Sequence, residues 1–142
     1  INNEEEMMAP VEGKVGNDFT RDTLVYSETL EEWTGHKGID ILAAEGTEIV
    51  AALSGKVLEV YKDELWGIVI IIDHGDGLMT KYANLSTGEM VQEGITVNKG
   101  DVISKVGKTA SIEMMMESHI HFEVIKDGIN IDPKNYIPAL IY

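Results

Sequence analysis

The sequence predicts an all-β fold of antiparallel sheets, sandwich-like or closing into a partly open barrel. Three observations predict it. Short segments rich in Val, Ile and Tyr recur between glycines, at a spacing close to that of a sandwich or barrel. One adjacent pair flanks an Asp-Gly dipeptide, and no long stretch holds the three-and-four spacing of an amphipathic helix. In chain order, 11–15 sets Val11 and Val15 around Gly13, and 23–27 carries Leu24, Val25 and Tyr26. Segment 38–42 alternates Ile39, Asp40 and Ile41, so the two isoleucines share a face. Segments 48–53 and 56–61 follow, parted by Ser54-Gly55. Segment 67–74 holds the longest apolar run, Ile68 to Ile72, and 78–85 returns from it across Asp76-Gly77. Those two predict a hairpin at the centre of the sheet. Segments 102–106 and 119–126 complete the series. The best helix candidate is 110–117, but its Met114, Met115 and Met116 are consecutive, which predicts a loop with at most one turn.

At 142 residues the chain suits one domain, able to bury roughly two thirds of its unfolded surface. Its 25 acidic and 11 basic residues leave a net charge of −14, which repels DNA, RNA and anionic membranes. The absence of cysteine excludes a disulfide framework and thiolate metal sites, so a metal here has to be held by His and carboxylate. The longest apolar run falls far short of the roughly 20 residues that cross a bilayer, and no signal-peptide pattern opens the chain. Ile1 is followed by Asn2, Asn3, Glu4, Glu5 and Glu6, so 1–9 reads as a polar juxtamembrane linker or tail cut from a longer precursor, with the domain over 10–142. That reading leaves room for an N-terminal anchor upstream.

Three of the four histidines fall in two compact constellations. In Gly35-His36-Lys37-Gly38-Ile39-Asp40, a straight strand would put His36 and Asp40 about 13 Å apart at Cα, too far to share one ion. The backbone has to bend, and Gly35 and Gly38 permit it. His119-Ile120-His121-Phe122-Glu123-Val124 alternates cleanly, with His119, His121 and Glu123 on one face and the apolar residues toward the core: a half-buried strand. Two imidazoles about 6 to 7 Å apart on one face can both ligate a metal, or one can ligate while the other handles protons. Either motif alone is generic; an H-x-H is often just a half-exposed strand.

Together and in this order, the chain from Gly35 to Asn130 resembles the LytM, or M23, family of zinc metallopeptidases. The likeness runs through His36-Lys37-Gly38-Ile39-Asp40, Ala51-Ala52-Leu53-Ser54-Gly55, Asp73-His74-Gly75, Val97-Asn98-Lys99-Gly100 and His119-Ile120-His121-Phe122-Glu123. The resemblance implies a LytM-type domain with long loops around a metal groove. It implies zinc held by His36, Asp40 and His121, His119 as general base on a metal-bound water, and cell-wall peptides as substrate. Three N and O ligands with a position left for water is also what a hydrolytic zinc needs.

The family's Y-x-H-L element reads Tyr82-Ala83-Asn84-Leu85 here, so Asn84 stands where the family has a catalytic histidine. An amide can donate a hydrogen bond but carries no charge and exchanges no proton at neutral pH; losing such a donor costs on the order of 100- to 1000-fold in turnover. His74 reads as a packing or capping residue at the hairpin end. The methionines 114–116 read equally as an exposed apolar edge for a partner or as filling against the core. Within the family the chain resembles a SpoIIQ-like sporulation branch, which implies a membrane-anchored forespore protein facing the space between forespore and mother cell. That likeness implies a scaffold or channel component binding a SpoIIIAH-like partner domain, with peptidase activity impaired or absent. The alternative is an active zinc endopeptidase cleaving peptidoglycan cross-bridge peptides.

Overall fold

The computed structural model describes residues 6–20, 25–27, 32–34, 37–109 and 117–138. Among them the backbone forms strands β1 (Lys14–Val15), β2 (Val25–Ser27), β3 (Glu32–Thr34), β4 (Ile39–Leu42), β5 (Glu48–Val50) and β6 (Gly55–Asp63). Then come β7 (Gly67–Gly75), β8 (Leu78–Leu85), β9 (Thr96–Val97), β10 (Val102–Lys105), β11 (His119–Lys126) and β12 (Ile129–Ile131), with a 3-10 turn at Pro133–Asn135. No helix among the described residues is long and apolar enough to cross a membrane.

Seven strands make one antiparallel sheet in the order β1-β4-β11-β8-β7-β6-β9, and β12 pairs with β11. The β7–β8 hairpin lies near its centre, as the Asp-Gly signal predicts. Asp76 and Gly77 both take positive φ, 53° and 81°, the turn whose twist matches the flanking strands. Asp127 and Gly128 repeat this geometry between β11 and β12, and the Asp127 amide donates to the Gly77 carbonyl, stacking one turn on the other. β5 and β10 form a separate two-stranded sheet, and a Leu85–Val106 bridge ties it to the large one.

The core follows from alternation. Ile39 and Ile41 of β4, Ile120, Phe122 and Val124 of β11, Tyr82 of β8 and Ile70 and Ile72 of β7 are buried together with Ile49 of β5 and Ile103 of β10. The Tyr82 and Phe122 rings meet at 5.3 Å between centroids, a favourable tilted aromatic contact. Met7 is buried as well, its amide donating to the Tyr136 carbonyl, so packing extends upstream of residue 10.

Three differences from the sequence reading have local causes. Only Lys14–Val15 of 11–15 is a strand, because Pro10 is already engaged by the Val50 amide and the chain must turn before it can pair with β4. Segment 48–53 stops at Val50, where Ala51 pairs with Gly100 and Asp101 across a corner. The short β3, β9 and β12 carry too few residues for a period to register. Of the expected loop at 110–117, residues 110–116, including Met114, Met115 and Met116, lie outside the described residues.

Candidate metal centre

β11 lies between β4 and β8, and this placement assembles the site. His121 stands opposite Asp40 on one side and Ala83 on the other. Asp40, His119, His121 and Glu123 are 0%, 1%, 0% and 4% exposed, so the expectation of a half-buried strand is corrected: β11 is buried on both faces. Over His121 the cover comes from the β6–β7 turn, where Asp63 accepts from the Leu65 and Trp66 amides and the Trp66 ring lies 4.4 Å from the imidazole between centroids.

A buried carboxylate needs partners. Asp40 Oδ1 is 2.9 Å from His121 Nδ1, and its Oδ2 accepts from Asn17 Nδ2 at 3.2 Å. The two backbones are joined too, Asp40 N donating to the Asn17 carbonyl and Gly16 N to the Asp40 carbonyl. Asn17, in the loop after β1, therefore fixes the carboxylate's direction.

His121 Nε2 is 2.8 Å from Glu123 Oε2, and Glu123 Oε1 accepts from Asn130 of β12. Burial pushes the Glu123 carboxyl up. The hydrogen bond and charge of His121, the Lys81 ammonium and the Asn130 amide outweigh it and hold the group below the usual carboxylate range. A carboxylate oxygen faces each ring nitrogen of His121, so with a cation in place of a proton at Nδ1 the ring would be a ligand whose Nε2–H stays on Glu123. One oxygen and one nitrogen donor side by side, backed by a carboxylate, is a set that fits zinc. Among the described residues no group of three or more such side chains is arranged around one point. His36, the third ligand expected from the sequence, lies outside the described residues. Its neighbour Gly38 is buried against the Phe122 carbonyl and Glu123, an approach a Cβ would block.

His119 Nδ1 is 2.7 Å from the Glu117 carbonyl, which can only accept, so Nδ1 carries a proton. Asn84 takes a left-handed φ of 62° in a bulge that sets one extra β8 residue between the pairs Ile68–Leu85 and Ile70–Tyr82. Its amide donates to the His119 carbonyl at 2.8 Å and the Gly107 carbonyl at 3.2 Å and accepts from the Thr109 amide at 2.8 Å. Thus Asn84 joins β8 to the start of β11 and to the segment after Val106.

Sequence reasoning missed Glu123, Asn130, Asn17 and Trp66 as parts of this site. Glu123 had a signal, the third polar residue in the H-x-H-x-E alternation; the others come from distant elements. His74 stands apart from the centre, bonded to Ser54 and Thr80.

The order of these residues matches the model for peptidase family M23 over residues 34–133. The chain belongs to peptidase family M23. Stage II sporulation protein Q of Bacillus subtilis is 39% identical over 103 residues, covering 71% of this chain and 36% of that protein. The murein hydrolase activator NlpD of Escherichia coli is 34% identical over 107 residues, covering 73% of this M23 chain and 26% of its own length. The chain thus spans about a third of the curated relatives it matches. Among solved structures, the SpoIIQ–SpoIIIAH pore-forming complex contains a chain that superposes with a TM-score of 0.81 at 30% identity, covering 94% of this chain and 91% of that one. This is a SpoIIQ-like M23 domain.

Proposed function

We propose that this M23 domain is a zinc-holding scaffold that binds the extracytoplasmic domain of a SpoIIIAH-like protein, and that it hydrolyses peptidoglycan poorly or not at all. The observation that carries the reading is Asn84. At the position of the family's catalytic histidine stands an amide whose two hydrogens go to backbone carbonyls, which leaves the site without the proton-exchanging donor a tetrahedral intermediate needs. The likeness to a chain crystallised with SpoIIIAH supports the partner, and the name of NlpD, an activator of hydrolases, shows an M23 relative described by regulation. The likeness to a stage II sporulation protein supports a whole protein that works in sporulation, anchored in the forespore membrane and facing the mother cell, with any linker lying upstream of the packed Met7.

His36, Asp40 and His121 would hold the zinc, which when bound supplies Lewis acidity to a water or a carbonyl oxygen. Asp40 is aimed by Asn17, and His121 by Glu123 and Asn130. Trp66 covers the His121 ring.

The alternative, an active endopeptidase on cross-bridge peptides, is favoured by His119, the expected general base, whose ring is oriented by the Glu117 carbonyl. Zinc-loaded domain incubated with peptidoglycan of defined cross-bridges, and in parallel with an immobilised SpoIIIAH-like domain, separates the two. The scaffold reading expects binding without release of muropeptides. Release that disappears in His119→Ala makes the domain an enzyme.

A further inference from the structure

A second polar line, buried at Thr80 and Tyr82 and reaching the surface through half-buried His74 to Ser54, runs through the domain on the side away from the metal centre. His74 near the end of β7 has Nδ1 2.8 Å from the Ser54 carbonyl and Nε2 2.8 Å from Thr80 Oγ1. Thr80 Oγ1 is 2.7 Å from the Tyr82 hydroxyl, which accepts from the Ala52 amide at 3.0 Å. A carbonyl only accepts and an amide N–H only donates, so with His74 neutral the two ends fix every proton between them. Nδ1–H of His74 points to Ser54, Thr80 donates to Nε2, Tyr82 donates to Thr80, and Ala52 donates to Tyr82.

The residues so held form the 51–54 corner, on which three segments meet. Ala51 exchanges backbone bonds with Gly100 and Asp101, the Ala52 carbonyl accepts from the Met8 amide, and Ser54 Oγ accepts from the Lys99 amide. The Val50 amide donates to the Pro10 carbonyl beside it, and Lys99 Nζ reaches the Glu6 carbonyl. The N-terminal segment 6–10 is thus seated on this corner.

We propose that the line is a proton-ordered latch: neutral His74 locks the 51–54 corner to the β7–β8 hairpin, and protonation of His74 unlocks it and loosens segment 6–10. The reason is a count of hydrogens. Neutral His74 gives the line four hydrogens for its four contacts; the imidazolium brings a fifth, so one buried hydroxyl hydrogen, on Thr80 or Tyr82, loses its acceptor. An unsatisfied buried donor is costly, and the line is where that cost falls. Burial holds His74 below its ordinary value, against the pull of the Ser54 carbonyl and the Asp73 carboxylate, so the neutral form persists at neutral pH. The charged groups around it are Asp73 beside it on β7, whose Oδ1 already accepts from Gly75 N, Lys56 of β6 opposite Asp73, and Asp76 in the turn; on β8 Tyr82 alternates onto the face of Thr80, and Lys81 falls on the other face, toward Glu123.

Nitrogen-15 NMR on the unmodified domain tests the first half: His74 should be the Nδ1–H tautomer at pH 7.5 and titrate below 6.5. Amide exchange tests the second. After correction for intrinsic rates, opening at Ala52 and Met8 should rise up to about tenfold per pH unit below the His74 midpoint, while Ile41 in β4 stays constant. His74→Gln and Thr80→Val should abolish the rise and Thr80→Ser keep it. An Nε2–H tautomer, or exchange at Ala52 that ignores pH in the unmodified domain, would overturn the latch, and neither reading depends on a variant folding.

Discussion

Asn84, at the position proposed for a catalytic histidine, serves the backbone instead. Its amide has two donors and an acceptor, and all three are used by His119, Gly107 and Thr109. A neutral imidazole has one donor and one acceptor, so Asn84→His leaves at least one buried carbonyl without its donor. The expected outcome is a loss of about 1 to 3 kcal/mol in urea unfolding and no gain of muropeptide release. Tyr82 gives a second prediction. Burial pushes its hydroxyl up to about 12, partly offset by Thr80 and the Ala52 amide. A pKa raised on folding contributes stability that is full below the unfolded value near 10 and lost as pH climbs toward 12. Alkaline melts should lose on the order of 3 kcal/mol across that window, and Tyr82→Phe should flatten the loss. The substitution of Asn84 for histidine was plain in the sequence. What the amide does was not, because its partners depend on a bulge in β8 and on a segment that reaches it from beyond β10.

At the scale of one strand, β11 divides what was legible from what was not. Its alternation of polar and apolar residues by itself assigns Ile120, Phe122 and Val124 to the core, since the pleat leaves no other assignment. The same alternation left its polar face half exposed, and Trp66 from the β6–β7 turn contradicts that. A cover that arrives from a distant turn leaves no local period behind. The hairpin β7–β8, by contrast, was readable because its turn residues are its own determinants. The arrangement around His121 predicts how this strand would hold a metal. Glu123→Gln removes the charge behind Nε2 and should weaken zinc affinity by about 10- to 100-fold in a competition titration with a chromophoric chelator. Unchanged affinity would mean that Glu123 does not orient the ligand.

The whole molecule carries −14, and that charge acts over a longer range than any contact. If the proposed partner domain presents a basic face, the field raises the rate of encounter without deciding how long the complex lasts. At 0.15 M salt the screening length is about 8 Å, so raising ionic strength removes the steering and leaves short-range packing intact. Surface-binding kinetics with a SpoIIIAH-like domain should therefore show an association rate that falls by about tenfold from low to high salt, with a dissociation rate that barely moves. The candidate metal centre enters at the same scale because Asp40 and His121 join β4 to β11, and that strand pair forms one rim of the candidate site. Zinc shared between them would tighten that rim, and its removal by chelator should raise the dissociation rate if the partner rests there and leave it unchanged if the partner binds elsewhere. Absence of association at every ionic strength, with zinc and without, would end the scaffold reading and leave the peptidoglycan assay to decide what this M23 domain does.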